Sequence, residues 1–109
     1  MAVLLAVALL ASGLHGIVTR GPTTPVCQVG KSCSEPALGA VLVFSRGGTV
    51  AARVRAGAGG RYAVRLRPGF YAVQVAPKPK IGTGLRPRDV HVRADVFGRL
   101  DFAIDTGIR

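Results

Sequence analysis

The side chains of this sequence that are best suited to a zinc site or a disulfide are few: two cysteines and two histidines. Cys27 and Cys33 lie in one stretch rich in Gly, Pro, Ser and Thr, whereas His15 and His91 lie in separate predicted strands. Two cysteines are half of a zinc ligand set, which the separated histidines are not placed to complete. In an oxidising compartment the thiols would form a disulfide that closes the loop at residues 21–38 and stabilises the fold by about 2 kcal/mol. We expect the disulfide, with a metal site as the alternative.

Catalytic groups are harder to assemble from this sequence. Asp101 and Asp105 alternate onto one side of a predicted strand, about 13 Å apart, which is too far for two carboxylates that act on one bond. No Ser or Cys lies in a nucleophile elbow, and the Gly-rich stretch at 57–60 joins strands rather than opening a helix as a phosphate-binding loop does. We predict that the protein is not an enzyme and needs no cofactor.

The first thirteen residues, MAVLLAVALLASG, are uncharged and mostly Leu, Val and Ala. Their apolar run is too short to span a bilayer, which needs roughly 20 residues, but it fits the apolar part of a secretory signal peptide. No Lys or Arg precedes it, which suggests that the natural segment starts further upstream. A buried first strand is the alternative, although Ala is a weak strand former. We predict a signal peptide at 1–13, one domain at 14–109, and a secreted or cell-envelope protein without a stable membrane span.

After the leader the sequence alternates apolar and polar side chains and contains no helical stretch. Such alternation predicts strands with one face on a core and the other in water. Seven strands are predicted, at residues 13–21, 40–45, 49–55, 61–67, 70–76, 89–94 and 99–104. The side chains expected to point inward are Val50, Ala52, Val54, Tyr62, Val64, Leu66, Tyr71, Val73, Val75, Val90, Val92, Leu100, Phe102 and Ile104. This pattern predicts an all-β sandwich.

Pro68 and Gly69 join two of the most regular strands. Proline fixes φ near about −65° and glycine tolerates positive φ, which is the pattern of a type II turn. Two-residue hairpins prefer turns of the opposite hand, because types I and II splay the strands apart. We therefore predict that the chain leaves one sheet here and enters the other, with a wider hairpin as the alternative.

The stretches GAVLVFSRGGTVAARV and GGRYAVRLRPGFYAVQV resemble the carboxypeptidase regulatory-like, or transthyretin-like, domain. The residues that carry the resemblance are Gly39, Ala40, Gly60, Tyr62, Pro68, Gly69 and Tyr71. It covers 14–109, and GPTTPVC and DTGIR are similar to segments of small exported bacterial members. The resemblance implies a seven-stranded, two-sheet Greek-key sandwich in which strand 61–67 lies in a different sheet from both sequence neighbours. It also implies a binding or supporting module; the Tyr-Arg-Gly-Ser ending of the related hydroxyisourate hydrolases is absent.

One predicted strand is apolar on both faces, because Val41 and Val43 must point outward if Leu42 and Phe44 point inward. The resemblance places the strand with Phe70 beside it. The candidate contact face therefore comprises Val41, Val43, Phe70, Ala72, Arg53, Arg55 and Arg93. An exposed apolar patch with a charged border is typical of protein contacts, although scattered surface valines are also ordinary. We expect this face to bind an exported protein or a second copy of the chain.

The net charge of +10 in 109 residues, from twelve Arg and three Lys, permits attraction to anionic polymers such as cell-wall or nucleic-acid phosphates. Weak nonspecific binding of this kind is the alternative function. The arginines, however, are predicted on both outer faces and without interleaved exposed aromatic residues. Carbohydrate binding is a further alternative, for which Phe70 is the only plausible exposed ring, since the sequence has no Trp.

Overall fold

The computed structural model describes residues 12–22, 33–76 and 84–106. In these residues it has ten β-strands, one short 3-10 turn (Ala58–Gly60) and no α-helix. The strands are β1 (Gly13–Gly21), β2 (Glu35–Pro36), β3 (Val41–Arg46), β4 (Thr49–Arg55), β5 (Arg61–Arg65), β6 (Gly69–Ala76), β7 (Gly84–Arg86), β8 (Asp89–Val92), β9 (Phe97–Arg99) and β10 (Phe102–Asp105).

The strands form two sheets. One has four antiparallel strands in the order β4-β3-β6-β8. The other has six strands built around β1. The first half of β1 pairs with β5 and β9, and its second half pairs with β2 and β10. β7 pairs with β10. The pairs of β1 with β9 and β10 are parallel. The prediction of an all-β protein with two sheets is confirmed.

The described part of the chain has ten strands where the sequence predicts seven. The additional strands β2, β7 and β9 are two or three residues long. A strand that short contains no full repeat of the apolar–polar alternation, so its sequence gives no signal of its own. Each is defined by its partner, β1 or β10, which sequence periodicity does not identify.

The core lies between the two sheets. Phe44 of β3 and Phe102 of β10 meet edge to face across it, with ring centroids 6.2 Å apart, and the Tyr62 ring lies 5.4 Å from Phe102. Both phenylalanines are fully buried. All the side chains predicted to point inward are buried or packed against the core, with one exception, Val50.

Val50 is 45% exposed, so its predicted inward position is wrong. The register places Ala52 opposite Phe44 but Val50 opposite Ser45, with a shift between Phe44 and Ser45. Ala51 is thus the extra residue of a β-bulge. Beyond a bulge the alternation of faces is inverted, which turns Val50 to the outer face of the sheet.

A second prediction is also wrong. Asp105 is expected from the sequence to point into water with Asp101, but it is only 6% exposed. Asp105 pairs with Gly21 at the end of β1 and lines a cleft together with Cys33 and Ser34. The segment around Cys33 therefore covers this end of the six-stranded sheet, which alternation within one strand does not reveal.

The corner at Pro68 and Gly69 carries the chain from one sheet to the other, as predicted, because β5 belongs to the six-stranded sheet and β6 to the four-stranded sheet. The φ of Gly69 is positive, at 149° rather than the ~80° of a type II turn, since Gly69 is already the first residue of β6. The Tyr71 hydroxyl donates a hydrogen bond to the Arg67 carbonyl at 2.6 Å. The Arg46 guanidinium covers the corner, with its Nη1 3.4 Å from the Pro68 carbonyl oxygen.

Tyr71→Phe removes this hydroxyl and keeps the ring in the core. We expect the free energy of unfolding to fall by about 1 kcal/mol, because the partly buried Arg67 carbonyl loses its intramolecular donor. Urea unfolding followed by circular dichroism measures the change. A variant as stable as the wild type would show that ring packing alone holds the corner.

Gly16, near the middle of β1, leaves room for a side chain of the neighbouring strand. It pairs with Tyr62 of β5, whose hydroxyl donates a hydrogen bond to the Leu100 carbonyl on the other side of β1. A Cβ atom on Gly16 would lie 2.2 Å from the Leu100 carbonyl oxygen. This position of β1 therefore requires glycine, and the Tyr62 hydroxyl links three adjacent strand segments.

Candidate functional site

Six residues of the candidate contact face lie on the outer face of the four-stranded sheet. Val41 pairs with Arg55 and Val43 pairs with Arg53, so the two arginines border the two valines on the edge strand β4. The valines are half-buried and the arginines are exposed. The outward-turned Val50 extends this apolar strip, and the sequence pattern missed it because of the bulge.

Phe70 is the most exposed large apolar side chain of this face, at 72%. Its ring stacks on the His91 ring, with centroids 4.3 Å apart and an interplanar angle of 11°. Ala72 pairs with Asp89 of β8. Stacking on a neighbouring strand restricts the Phe70 rotamers, so the ring is presented to solvent in a defined position. The face thus has arginines along one edge and Asp89 and His91 along the other; between these edges Val41 and Val43 lie toward one end of the strands and Phe70 lies toward the other, beyond Ala72.

Arg93, the seventh residue, lies at the edge of the sheet opposite to Arg53 and Arg55. It follows the last residue of β8 and lines a cleft of about 380 Å³ between residues of β8 and residues of β1 and β9. The structure therefore separates Arg93 from Arg53 and Arg55, which lie on the opposite edge strand. A position just after a strand does not reveal which edge of the sheet it occupies.

The outer face of the six-stranded sheet carries a different arrangement. The Arg65 guanidinium lies over the Phe97 ring at 4.2 Å, and the Phe97 ring stacks on His15 with centroids 4.9 Å apart. Arg65 and Phe97 flank Gly13 in the register, and the missing side chain of this glycine lets them meet. A half-buried aromatic ring therefore lies between Arg65 and His15 on this face.

Asp101 has a structural role in this sheet. β9 and β10 continue in one register along β1 with a break at residues 100–101, where Asp101 Oδ1 accepts a hydrogen bond from the Ile17 N–H at 2.9 Å. This bond, with the Arg99 guanidinium 3.5 Å away, holds the pKa of Asp101 below its usual value. Burial, followed by the charge of Asp101, raises the pKa of Tyr62 well above its usual value, so Tyr62 stays a hydrogen-bond donor.

The two histidines lie apart in the structure. His15 stacks on Phe97 in the six-stranded sheet and His91 stacks on Phe70 in the four-stranded sheet. Within residues 12–22, 33–76 and 84–106, no group of three or more His, Cys, Asp or Glu side chains is placed to hold a metal ion. Both histidines instead pack against aromatic rings on outer faces.

The loop at 21–38 is only partly described. Cys33 is disulfide-bonded, and the described residues contain no free cysteine. Cys27 lies outside the described residues, so the Cys27–Cys33 pairing stays a prediction. The same holds for the signal peptide, of which only Ser12 and Gly13 are described: Ser12 is buried and Gly13 begins β1.

No protein-family model matches the chain, and no curated protein matches it either. The resemblance to transthyretin-like domains therefore stays a prediction that rests on the residues named above. Among the described residues, none belongs to a helix long and apolar enough to cross a bilayer.

Proposed function

We propose that this protein is an exported, non-enzymatic binding module of transthyretin-like type that contacts another protein through the outer face of its four-stranded sheet. The single observation that carries the proposal is Phe70, a ring exposed by 72% yet fixed by stacking on His91, on the same outer face as the half-buried Val41 and Val43. Ordered aromatic side chains next to an apolar centre are enriched in protein interfaces.

The charges at the two edges of this face favour a second copy of the chain as the partner. Arg53 and Arg55 lie on edge strand β4, and Asp89 lies on the opposite edge strand β8. A two-fold axis parallel to the strands would place β4 of one copy over β8 of the other. The same surface would then supply both signs of charge, as a symmetric interface requires.

Val41→Glu tests this proposal. It places a carboxylate in the apolar strip opposite Arg55, and we expect it to weaken self-association at least about tenfold, because it adds a charge that is costly to bury and neutralises part of the arginine edge that would face Asp89. Sedimentation velocity over a wide concentration range measures the association. Ala63→Glu is the matched control, since Ala63 is an exposed strand residue of the other sheet.

If the wild type self-associates, identical sedimentation of the wild type and Val41→Glu would contradict the contact face. A wild type that stays monomeric would exclude a second copy, and pull-down from the native secreted fraction would then show whether another exported protein binds in a Val41-dependent way.

Binding of an anionic polymer is a second candidate function. The observation that favours it is the stack of Arg65, Phe97 and His15 on the outer face of the six-stranded sheet. Basic and aromatic groups together suit phosphate-containing polymers. Because this stack lies on the other sheet, Val41→Glu leaves it unchanged, and the two functions are thereby distinguishable.

A further inference from the structure

A cleft of about 380 Å³ lies along β8, between this strand and residues of β1 and β9. Its apolar lining includes Leu14, Val90, Val96 and Leu100, and the first two are core residues. Arg93 and Asp89 bring opposite charges to it from the two ends of β8. The volume is within the range of about 300–1,000 Å³ that is usual for ligand-binding clefts.

The backbone of β8 has hydrogen-bonding groups on its outer edge. The Val73 N–H donates to the Arg88 carbonyl at 2.8 Å, which marks Val73 and Arg88 as a hydrogen-bonded pair. Hydrogen-bonded and non-hydrogen-bonded pairs alternate along an antiparallel ladder, so the N–H and carbonyl groups of Asp89 and His91 point away from β6. Within the described part of the chain, β6 is the one strand paired with β8.

We infer that the outer edge of β8 binds an extended peptide segment of a partner protein, which adds as a fifth antiparallel strand. The backbone of the peptide would exchange hydrogen bonds with Asp89 and His91. Its side chain opposite Val90 points inward, into the apolar cleft. Its outward side chain at the Arg93 end is acidic, and the one at the Asp89 end is basic.

The cleft and the edge support a peptide rather than a small molecule. A small apolar ligand would contact Leu14 and Val90 but would leave the edge groups of Asp89 and His91 to water. An antiparallel strand places a side chain in the cleft and also pairs with the edge groups of Asp89 and His91. All strand pairs of this sheet are antiparallel, so the added strand would follow the same arrangement. This site lies on the outer edge of β8 and in the cleft, and not on the strip around Val41; it shares only Asp89 and His91 with the border of the contact face, and therefore goes beyond the proposed function.

The test uses the full-length protein, labelled with ¹⁵N, and the peptide acetyl-Glu-Val-Thr-Val-Lys-Val-amide. In the antiparallel register its glutamate faces Arg93 and its lysine faces Asp89. We expect the peptide to shift the amide resonances of Asp89, His91 and Arg93 and to slow hydrogen exchange at Asp89 and His91. Val41→Glu should bind the peptide as the wild type does.

Two variants and two modified peptides make the test specific. Arg93→Glu should weaken binding about tenfold through charge repulsion. Gly98→Val should weaken it too, because a Cβ at Gly98 fits in ordinary contact with Val96 and Leu14 and the larger side chain would occupy the cleft. An N-methyl group on the threonine, whose N–H faces β8, should abolish binding, whereas one on the valine before lysine, whose N–H faces away, should not.

The inference is overturned if the unmodified peptide causes no shifts, if the shifts map to Val41 and Phe70 instead of β8, or if both N-methylated peptides bind equally. The two-dimensional spectrum of each variant without peptide shows whether it is folded, so a loss of binding by Arg93→Glu is not mistaken for unfolding.

Discussion

Phe102→Ala should lower the free energy of unfolding by about 3–5 kcal/mol, the largest effect of any substitution considered. Phe102 is 1% exposed, and its ring contacts Phe44 from the opposite sheet and Tyr62 from its own. Truncation therefore leaves a cavity where the two sheets meet. A single domain of this size has a stability of about 5–15 kcal/mol, so the loss approaches the whole margin. Urea unfolding measures it.

Phe70→Ala is the matched control, because it removes the same ring from an exposed position. It should cost about 1 kcal/mol or less, mainly the contact with His91. Equal losses from the two substitutions would contradict the position of the core, since the sandwich places Phe102 inside and Phe70 outside.

Gly16→Ala should destabilise the protein by about 3 kcal/mol, at the upper end of the usual cost of overpacking. The added Cβ would lie 2.2 Å from the Leu100 carbonyl oxygen and 2.7 Å from Asp101 Oδ1. The first of these atoms belongs to the backbone, so the strand must move away. That movement breaks the Tyr62–Leu100 hydrogen bond and strains the bond between Ile17 and Asp101.

Gly98→Ala is the control in the same sheet. Its Cβ would meet Val96 Cγ1 at 3.7 Å and Leu14 Cδ2 at 4.0 Å, which are ordinary contacts. We expect unchanged stability or a gain of about 0.4–1 kcal/mol, because alanine restricts the unfolded chain. The thermal unfolding midpoints of Gly16→Ala and Gly98→Ala test this expectation. Equal midpoints would show that the neighbouring strand tolerates a Cβ atom at position 16.

The residues that the sequence predicted well are those whose position depends on local chemistry. Tyr62 and Tyr71 alternate with arginine or alanine, and the period of two was enough to place both rings in the core. The transition at Pro68 and Gly69 was predicted because these two residues do not suit a two-residue hairpin, although the type II turn that they suggested is not formed.

The features that the sequence did not reveal depend on partners distant in the chain. Nothing in the three residues of β9 or β7 distinguishes them from loop. The bulge that inverts Val50 is a property of the β3–β4 register. Asp105 is buried because the segment around Cys33 lies over it. All these features depend on contacts between segments that are distant in the sequence, and the alternation within one strand does not reveal such contacts.

In the candidate site, too, some positions follow from the local pattern and others depend on contacts between distant segments. The outward position of Val41 and Val43 follows from alternation, and the position of the Phe70 strand beside theirs came from the resemblance. The stacking of Phe70 on His91 and of Arg65 on Phe97 required the pairing of strands that are far apart in sequence. The position of Arg93 on the edge opposite to Arg53 and Arg55 likewise depends on the order of strands in the sheet.

The role of β1 as the shared partner of β2, β5, β9 and β10 has a consequence for biosynthesis. Val18 pairs with Phe102, and Gly13 pairs with Phe97, so β1 completes its hydrogen bonds only with residues that follow it by 84 positions in the sequence. Contacts of such long range make closure of the sheet a late and slow event. During synthesis the six-stranded sheet therefore cannot close until residues 97–105 have left the ribosome.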